Sequence, residues 1–159
     1  MKVFCFFWLF VFSCSGFCIE SKGKVSLYGY GYENCYFLEL SVRYKFSVLM
    51  GEPLEHFVMM WKGGSCKPTE VEFKAQLEVN GILKRYYVYF SPLVPSKSDS
   101  WGWDVSGSPS WSSIFKDDYG NDLDANIAKD IFKKGFKLKY LSVEKFSVSS
   151  LKEKEDKKR

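Results

Sequence analysis

The chain has 159 residues, of which 46% are hydrophobic and 19% aromatic, and its formal net charge is +4 at pH 7. Residues 19–151 hold 17 Lys and Arg against 16 Asp and Glu, so this part contributes only +1 to the net charge, and residues 152–159 contribute +2. This balance argues against a phosphate-binding stripe across the folded part, and we therefore expect no nucleic-acid partner.

The N-terminus has the order of a secretory signal peptide. Met1 and Lys2 precede the apolar run VFCFFWLFVF, and small and polar residues follow it. We assign residues 1–18 to a signal peptide and expect a secreted protein, extracellular or periplasmic. The apolar run is too short for a spanning helix, so no transmembrane segment is expected. An alternative assignment of VFSC is a lipoprotein signal, in which an acylated Cys14 anchors the protein.

The position of signal cleavage decides how many cysteines remain. Cleavage after Cys18 leaves Cys35 and Cys66, whereas cleavage after Gly16 leaves Cys18 as well. Two cysteines in an oxidising compartment most often pair, so a Cys35–Cys66 disulfide is predicted. A free reactive thiol is the alternative.

Period-two alternation over residues 35–48 predicts a long strand with one buried face. The preceding segment KVSLYGYGY pairs with this strand around a turn at Glu33 and Asn34, which sets Val25 opposite Val42. Further along, EHFVMMW predicts a short buried strand. The predicted inner face of the long strand consists of Tyr36, Leu38, Leu40, Val42, Tyr44, Phe46 and Val48.

A second hairpin is predicted around Asn80 and Gly81, the dipeptide that best fits a type I′ turn. The flanking segments VEFKAQLEV and ILKRYYVYF both alternate. A regular register pairs Val79 with Ile82, Ala75 with Tyr86, Phe73 with Val88 and Val71 with Phe90, and it places Tyr87 and Tyr89 on the polar face.

The pattern changes after Pro92. Residues 92–113 are rich in serine, proline and glycine and predict a long loop. NDLDANIAKDIFKKG then predicts an amphipathic helix near residues 122–134, with Asn121 or Asp122 as its N-cap and Gly135 past its end. FKLKYLSVEKFSV predicts a final strand, and residues 149–159 predict a charged, disordered tail.

These elements predict a mainly β (α+β) fold. We expect one domain over residues 19–148, built as an antiparallel β-sheet or sandwich of about six strands with one packed helix. Parallel winding is disfavoured because tight hairpin turns link consecutive strands.

No motif of catalytic chemistry is present, so we expect a protein that is not an enzyme and that has no cofactor. His56 is the single histidine and falls in a predicted strand, which leaves no multi-histidine metal site. The acidic run DDYGNDLDA, residues 117–125, resembles an oxygen-rich calcium loop in composition, but a turn followed by a helix cap explains the same residues, and no metal is assigned.

Aromatic side chains are the best binding candidates. The loop WGWDVSGSPSW carries Trp101, Trp103 and Trp111 together with Asp104, and rings of this kind bind sugars or protein surfaces. The alternative is that the loop folds back and buries them. A second predicted aromatic surface consists of Tyr28, Tyr30, Tyr32, Tyr87 and Tyr89.

These observations favour a small exported binding or interaction domain that recognises a carbohydrate or an extracellular protein through the aromatic loop. The alternative function is a secreted inhibitor, toxin or immunity-type protein that acts on an extracellular or periplasmic enzyme.

Overall fold

The computed structural model describes residues 20–63, 66–92 and 108–149. The predicted signal peptide, the predicted tail beyond Ser149 and most of the predicted long loop lie outside these ranges. Within them, no helix has the length and apolarity that a membrane-spanning segment needs. The elements in chain order are β1 (Glu20–Tyr32), β2 (Cys35–Leu49), β3 (Glu52–Lys62), β4 (Lys67–Val79), β5 (Ile82–Phe90), α1 (Ala125–Lys134) and β6 (Phe136–Ser149).

The predicted mainly β architecture with a single helix is confirmed. The six strands form two three-stranded antiparallel sheets, ordered β1-β2-β3 and β5-β4-β6. We call them sheet A and sheet B. Their apolar faces contribute to one shared core, to which α1 adds Ala128, Ile131 and Phe132. Sheet B therefore has an inner face toward the core and an outer face.

The first hairpin has the predicted register, but the buried face of β2 changes along its length. Val25 lies opposite Val42, and Leu40 through Phe46 bury the predicted side chains. Tyr36 and Leu38 instead remain 55% and 61% exposed, whereas Phe37 is fully buried. Opposite this change, Gly29 adopts a φ of +66°, a conformation that favours glycine and alters the course of β1. The end of the hairpin thereby turns its other face toward β6.

The second hairpin keeps its predicted turn and loses its predicted register. Asn80 and Gly81 have φ values of 51° and 75°, and Val79 pairs with Ile82. Beyond the pair Glu78–Leu83, three β5 residues stand opposite Leu77, so the register shifts at a bulge. The predicted pairs of Ala75 with Tyr86, Phe73 with Val88 and Val71 with Phe90 are therefore wrong. The observed pairs are Ala75 with Val88 and Phe73 with Phe90.

The bulge has a physical cause in the side chain of Leu77. A regular register sets Leu77 opposite Lys84, whereas the bulge leaves Leu77 fully buried in the core. The Gln76 side-chain amide donates a hydrogen bond to the carbonyl of Lys84 over 2.7 Å. This bond satisfies a backbone acceptor within the bulge.

The helix begins at Ala125, three residues after the predicted start at residue 122. Asp124 is the N-cap, and its carboxylate accepts a hydrogen bond from the backbone N–H of Asn126 over 2.8 Å. Asp122 forms a β-bridge with Lys116, and the N–H of Leu123 donates to the carbonyl of Phe115. These bonds hold residues 122 and 123 outside the helix. Gly135, with a φ of 73°, ends it as predicted.

Side-chain hydroxyls join the two sheets where β1 lies alongside β6. The N–H of Phe136 donates to the Ser21 hydroxyl over 3.3 Å, and the N–H of Leu138 donates to the Tyr44 hydroxyl over 3.1 Å. Tyr44 reaches Leu138 across Gly23, where an added Cβ would lie only 2.8 Å from the hydroxyl oxygen. Burial raises the pKa of Tyr44. Gly23 therefore provides the space in which a buried donor of β6 is satisfied.

Replacing Tyr44 by phenylalanine removes this acceptor, and we expect it to lower the free energy of unfolding by about 1–3 kcal/mol because the Leu138 N–H stays buried without a partner. Urea denaturation measures the loss. Tyr28→Phe, which removes an exposed hydroxyl, is the matched control and should change stability by less than about 0.5 kcal/mol. Equal stability of the two variants would contradict the role of the Tyr44 hydroxyl.

Candidate binding site

Two tyrosines of the predicted second aromatic surface cluster with a lysine on the outer face of sheet B. We call this cluster, which consists of Lys74, Tyr87 and Tyr89, the tyrosine face. Lys74 lies opposite Tyr89 in the register, and the next outward pair is Gln76 with Tyr87. The Lys74 ammonium lies 4.3 Å from the centroid of the Tyr87 ring and 5.4 Å from that of Tyr89. All three side chains are half-buried. Each ring is therefore held by a cation–π contact while part of it faces solvent.

Charged neighbours fix the two tyrosine hydroxyls. The Tyr87 hydroxyl donates to the Asp118 carboxylate, which raises the pKa of Tyr87, and Asp118 also forms an ion pair with Arg85. The Lys74 ammonium donates to the Tyr89 hydroxyl, and this bond raises the pKa of Lys74. At neutral pH, the Tyr87 phenol is therefore uncharged and Lys74 is protonated.

Main-chain pairing fixes the strand that carries the rings. The N–H of Tyr87 donates to the carbonyl of Lys116 over 2.8 Å, and the N–H of Lys116 donates to the carbonyl of Tyr87 over 2.9 Å. The segment around Lys116 thus pairs with β5 at this position and brings Asp118 to the tyrosine face. Backbone hydrogen bonds of this kind restrict the motion of Tyr87.

β6 supplies polar groups on the other side of Lys74. Ser142 lies opposite Lys74 in the register, and its hydroxyl contacts the Glu144 carboxylate over 3.3 Å. Lys145 forms an ion pair with Glu70 over 2.6 Å. The tyrosine face therefore has aromatic rings at its centre and charges of both signs around it.

Of the predicted aromatic-loop residues, the structure describes only Trp111. Trp101, Trp103 and Asp104 lie outside the described residues, so the predicted loop site stays a prediction there. Trp111 is half-buried, its ring lies 5.0 Å from that of Phe132 on α1, and its indole N–H donates to the carbonyl of Gly51 over 2.9 Å. Trp111 thus packs against the helix, as a core aromatic does.

The predicted second aromatic surface divides between the two sheets. Tyr30 and Tyr32 of β1 are half-buried and each lies 5.2 Å from the ring of Phe146. Burial raises the pKa of Tyr30. Tyr28 is the most exposed of the three. These side chains belong to sheet A, whereas Tyr87 and Tyr89 belong to sheet B, so the structure does not bring all five together.

The predicted disulfide is present. Cys35 and Cys66 are joined, with their Cα atoms 5.7 Å apart. Cys35 begins β2, and Cys66 immediately precedes β4, so the bond ties sheet A to sheet B at the end of the molecule where Tyr30 and Tyr32 pack.

No family model matches this chain, and neither a curated protein nor a solved structure does.

Carboxylates in the acidic run have local partners. Asp117 accepts hydrogen bonds from the backbone N–H groups of Tyr119 and Asn121, both over 2.9 Å, and the bond from Asn121 contributes most to lowering the pKa of Asp117. Asp124 caps α1. Among the residues that the structure describes, no group of three or more His, Cys, Asp or Glu side chains is arranged to hold a metal ion. The run therefore forms the turn and cap that the simpler interpretation predicts.

Two acidic residues of sheet A have altered acidity for structural reasons. The Glu39 carboxylate lies 2.8 Å from the ammonium of Lys24 and 3.4 Å from that of Lys62. Hydrogen bonds from Lys24 and Ser26 lower the pKa of Glu39 to about 2. Burial raises the pKa of Glu55 to about 7. Glu39 links all three strands of sheet A, and Glu55 lies opposite Phe46 in the register. The register partners of Glu39 are Tyr28 and Lys62, so no second carboxylate lies opposite Glu39.

Proposed function

We propose that this chain is an exported binding domain that recognises a protein partner through the tyrosine face. The observation that supports the proposal is the solvent-facing arrangement of Tyr87 and Tyr89 around Lys74, in which each ring is held before any partner binds. The rings occupy one face of a hydrogen-bonded sheet, so they form a broad contact surface.

Restrained aromatic rings favour tight binding for an entropic reason. A side chain that is ordered only on binding costs about 0.5–1.5 kcal/mol of affinity. The backbone pairing of Tyr87 with Lys116 and the hydroxyl contact with Asp118 reduce that cost. Tyrosine is also among the residues that contribute most to the centres of protein interfaces.

A protein partner fits this surface better than a carbohydrate does. The Lys74 ammonium covers one face of the Tyr87 ring at 4.3 Å, and a sugar needs a free ring face for stacking. A protein can contact ring edges and hydroxyls, and it can pair with the surrounding charges of Arg85, Glu144 and Lys145. This pattern of an aromatic centre within a polar rim is that of a protein interface.

Export is the second part of the proposal. It is supported by the signal-like order of residues 1–18 and by the Cys35–Cys66 bond, because structural disulfides persist mainly in oxidising compartments. The aromatic loop with Trp101 and Trp103 remains a second candidate surface for the same function.

The test is affinity capture from the extracellular or periplasmic fraction with the purified protein as bait. We expect Tyr87→Ala/Tyr89→Ala to weaken the affinity for the captured protein at least about tenfold, because truncation of a central interface aromatic costs on the order of 2 kcal/mol. Calorimetric titration of the identified partner measures the affinity.

Tyr28→Ala is the matched control, since it removes an exposed tyrosine from the other sheet and should leave the affinity unchanged. A Trp101→Ala/Trp103→Ala variant tested in parallel separates the two surfaces. Undiminished capture by the Tyr87/Tyr89 variant would refute the role of the tyrosine face. Binding on a glycan array, lost in that variant, would replace the protein partner with a carbohydrate.

A further inference from the structure

A groove of about 460 Å³ runs between α1 and the turn end of the β4–β5 hairpin. We call it the helix groove. It opens on the inner face of sheet B, on the opposite side of β5 from Tyr87 and Tyr89. The residues that line it and that matter here are Val79, Lys84, Tyr86, Ile127, Ile131 and Lys134.

The surface of the groove is apolar and partly open to water. Ile131 is buried at its base, whereas Ile127 on the next turn of the helix remains 41% exposed. Ile82, which pairs with Val79 at the hairpin end, is 58% exposed. Within the groove, Val79, Ile127 and Ile131 form an apolar strip that is accessible at Ile127, which is typical of a ligand site.

The β5 bulge leaves two of the lining residues, Lys84 and Tyr86, without partners in the strand register. In a regular register, Tyr86 would lie opposite Ala75, but the shift pairs Ala75 with Val88 instead. Neither Ala75 nor Leu77 is therefore paired with Tyr86 or Lys84, whose side chains line the groove. The bond from the Gln76 amide to the Lys84 carbonyl holds this arrangement. Bulges that redirect side chains are common beside functional sites.

The charges on the rim favour an anion. Lys134 and Asp130 form an ion pair over 2.7 Å, so the negative charge of Asp130 is compensated. In the described part of the chain, the Lys84 ammonium has no carboxylate within ion-pair distance. One positive charge therefore remains unpaired beside the apolar strip.

From this combination we infer that the helix groove binds an amphiphilic carboxylate, whose apolar chain lies along Val79, Ile127 and Ile131 and whose head group pairs with Lys84. The volume of about 460 Å³ falls within the range of roughly 300–1,000 Å³ that is usual for small-molecule sites. This site is separate from the tyrosine face, so it goes beyond the proposed protein recognition and neither depends on the other.

The test uses dodecanoate as the probe, titrated below its micelle concentration into the purified protein, with dodecyltrimethylammonium as a cation of the same chain length. We expect saturable binding of dodecanoate, with amide NMR shifts at Asn126, Ile127 and Asp130. The cationic probe should bind at least about tenfold more weakly, because its head group meets the positive charge of Lys84 and cannot accept a hydrogen bond from it.

Two variants locate the head group and the chain. Lys84→Gln should weaken dodecanoate binding on the order of tenfold, which corresponds to the loss of one charge-assisted hydrogen bond, while Ile127→Asp should abolish saturation. Lys139→Gln, which neutralises an exposed lysine opposite Gln76 on the outer face, is the matched control and should bind as the wild type does. Equal affinity for both probes, unchanged binding by Lys84→Gln, or shifts that map to other residues would overturn the assignment.

Discussion

Replacing Phe46 by alanine is expected to lower the free energy of unfolding by about 4 kcal/mol, because truncation of a buried phenylalanine removes apolar contacts and leaves a cavity. Phe46 is fully buried. Its ring centroid lies 5.0–6.4 Å from those of Tyr44, Phe57, Phe115, Phe132 and Phe136. These rings come from both sheets, from α1 and from the segment before it.

Guanidinium denaturation followed by tyrosine and tryptophan fluorescence measures this loss. Leu49→Ala is the matched control, because Leu49 ends the same strand with its side chain mostly exposed, and it should change stability by less than about 0.5 kcal/mol. A Phe46→Ala variant as stable as Leu49→Ala would show that the rings around Phe46 do not form the principal core.

The position of Phe46 also explains how the two candidate surfaces are supported. Phe132 belongs to α1, which forms one wall of the helix groove, and Phe115 directly precedes Lys116, which pairs with Tyr87. The same ring cluster therefore fixes the helix and the edge segment. A destabilised core should loosen both surfaces. Binding by a core variant should therefore be compared with binding by the wild type at a temperature at which the variant is still folded.

Local signals accounted for the turns of the fold and for the first register. Asn80 and Gly81 adopt the positive φ values that asparagine and glycine tolerate best, and Gly135 ends α1 for the same reason. The pairing of Val25 with Val42 follows from the turn position and the apolar alternation. Information of this kind is contained in a few neighbouring residues, so it can be read without knowledge of the rest of the chain.

The errors arose where packing and pairing outside the element itself decide the outcome. Tyr36 and Leu38 alternate with the core residues of β2, yet Phe146 of β6 packs on the opposite face, against Phe37 at 5.5 Å. The bulge opposite Leu77 depends on burial in the core, and the late start of α1 depends on the pairing of Lys116 with Asp122. Phe146 is far from Phe37 in the sequence, whereas Lys116 lies only six residues before Asp122, in a pairing that alternation and capping signals do not reveal.

The candidate site was also predictable only in part, because local alternation places some of its residues and tertiary contacts place the others. Alternation placed Tyr87 and Tyr89 together on the polar face of their hairpin, which the structure also does. The predicted register put Tyr87 opposite Lys74, whereas the bulge sets Tyr89 there. Asp118 and Glu144 reach the tyrosine face only through tertiary contacts, and the division from Tyr28, Tyr30 and Tyr32 follows from the assembly of two separate sheets.

Removal of the Cys35–Cys66 disulfide is the other change for which we expect a large effect, a loss of about 4 kcal/mol in the Cys35→Ser/Cys66→Ser variant. The bond spans a sequence separation of 31 residues, and in the chain-entropy model a loop of this length restricts the unfolded chain by that amount. Comparing the variant with the wild type in urea measures the loss. The double replacement avoids a free thiol and its side reactions.

The disulfide and the side-chain packing at the same place can be separated experimentally. Reduction of the wild type breaks the bond without replacing Cys35 or the side chains around it. If the bond itself stabilises the fold, the reduced wild type and the double variant should therefore have similar urea midpoints. Non-reducing peptide mass spectrometry should recover Cys35 linked to Cys66 from the native protein. Two free thiols at these positions, or a reduced protein as stable as the oxidised one, would contradict the prediction. Because the bond joins β2 to the start of β4, its loss should weaken the contact of Tyr30 and Tyr32 with Phe146 before it affects Tyr87 and Tyr89.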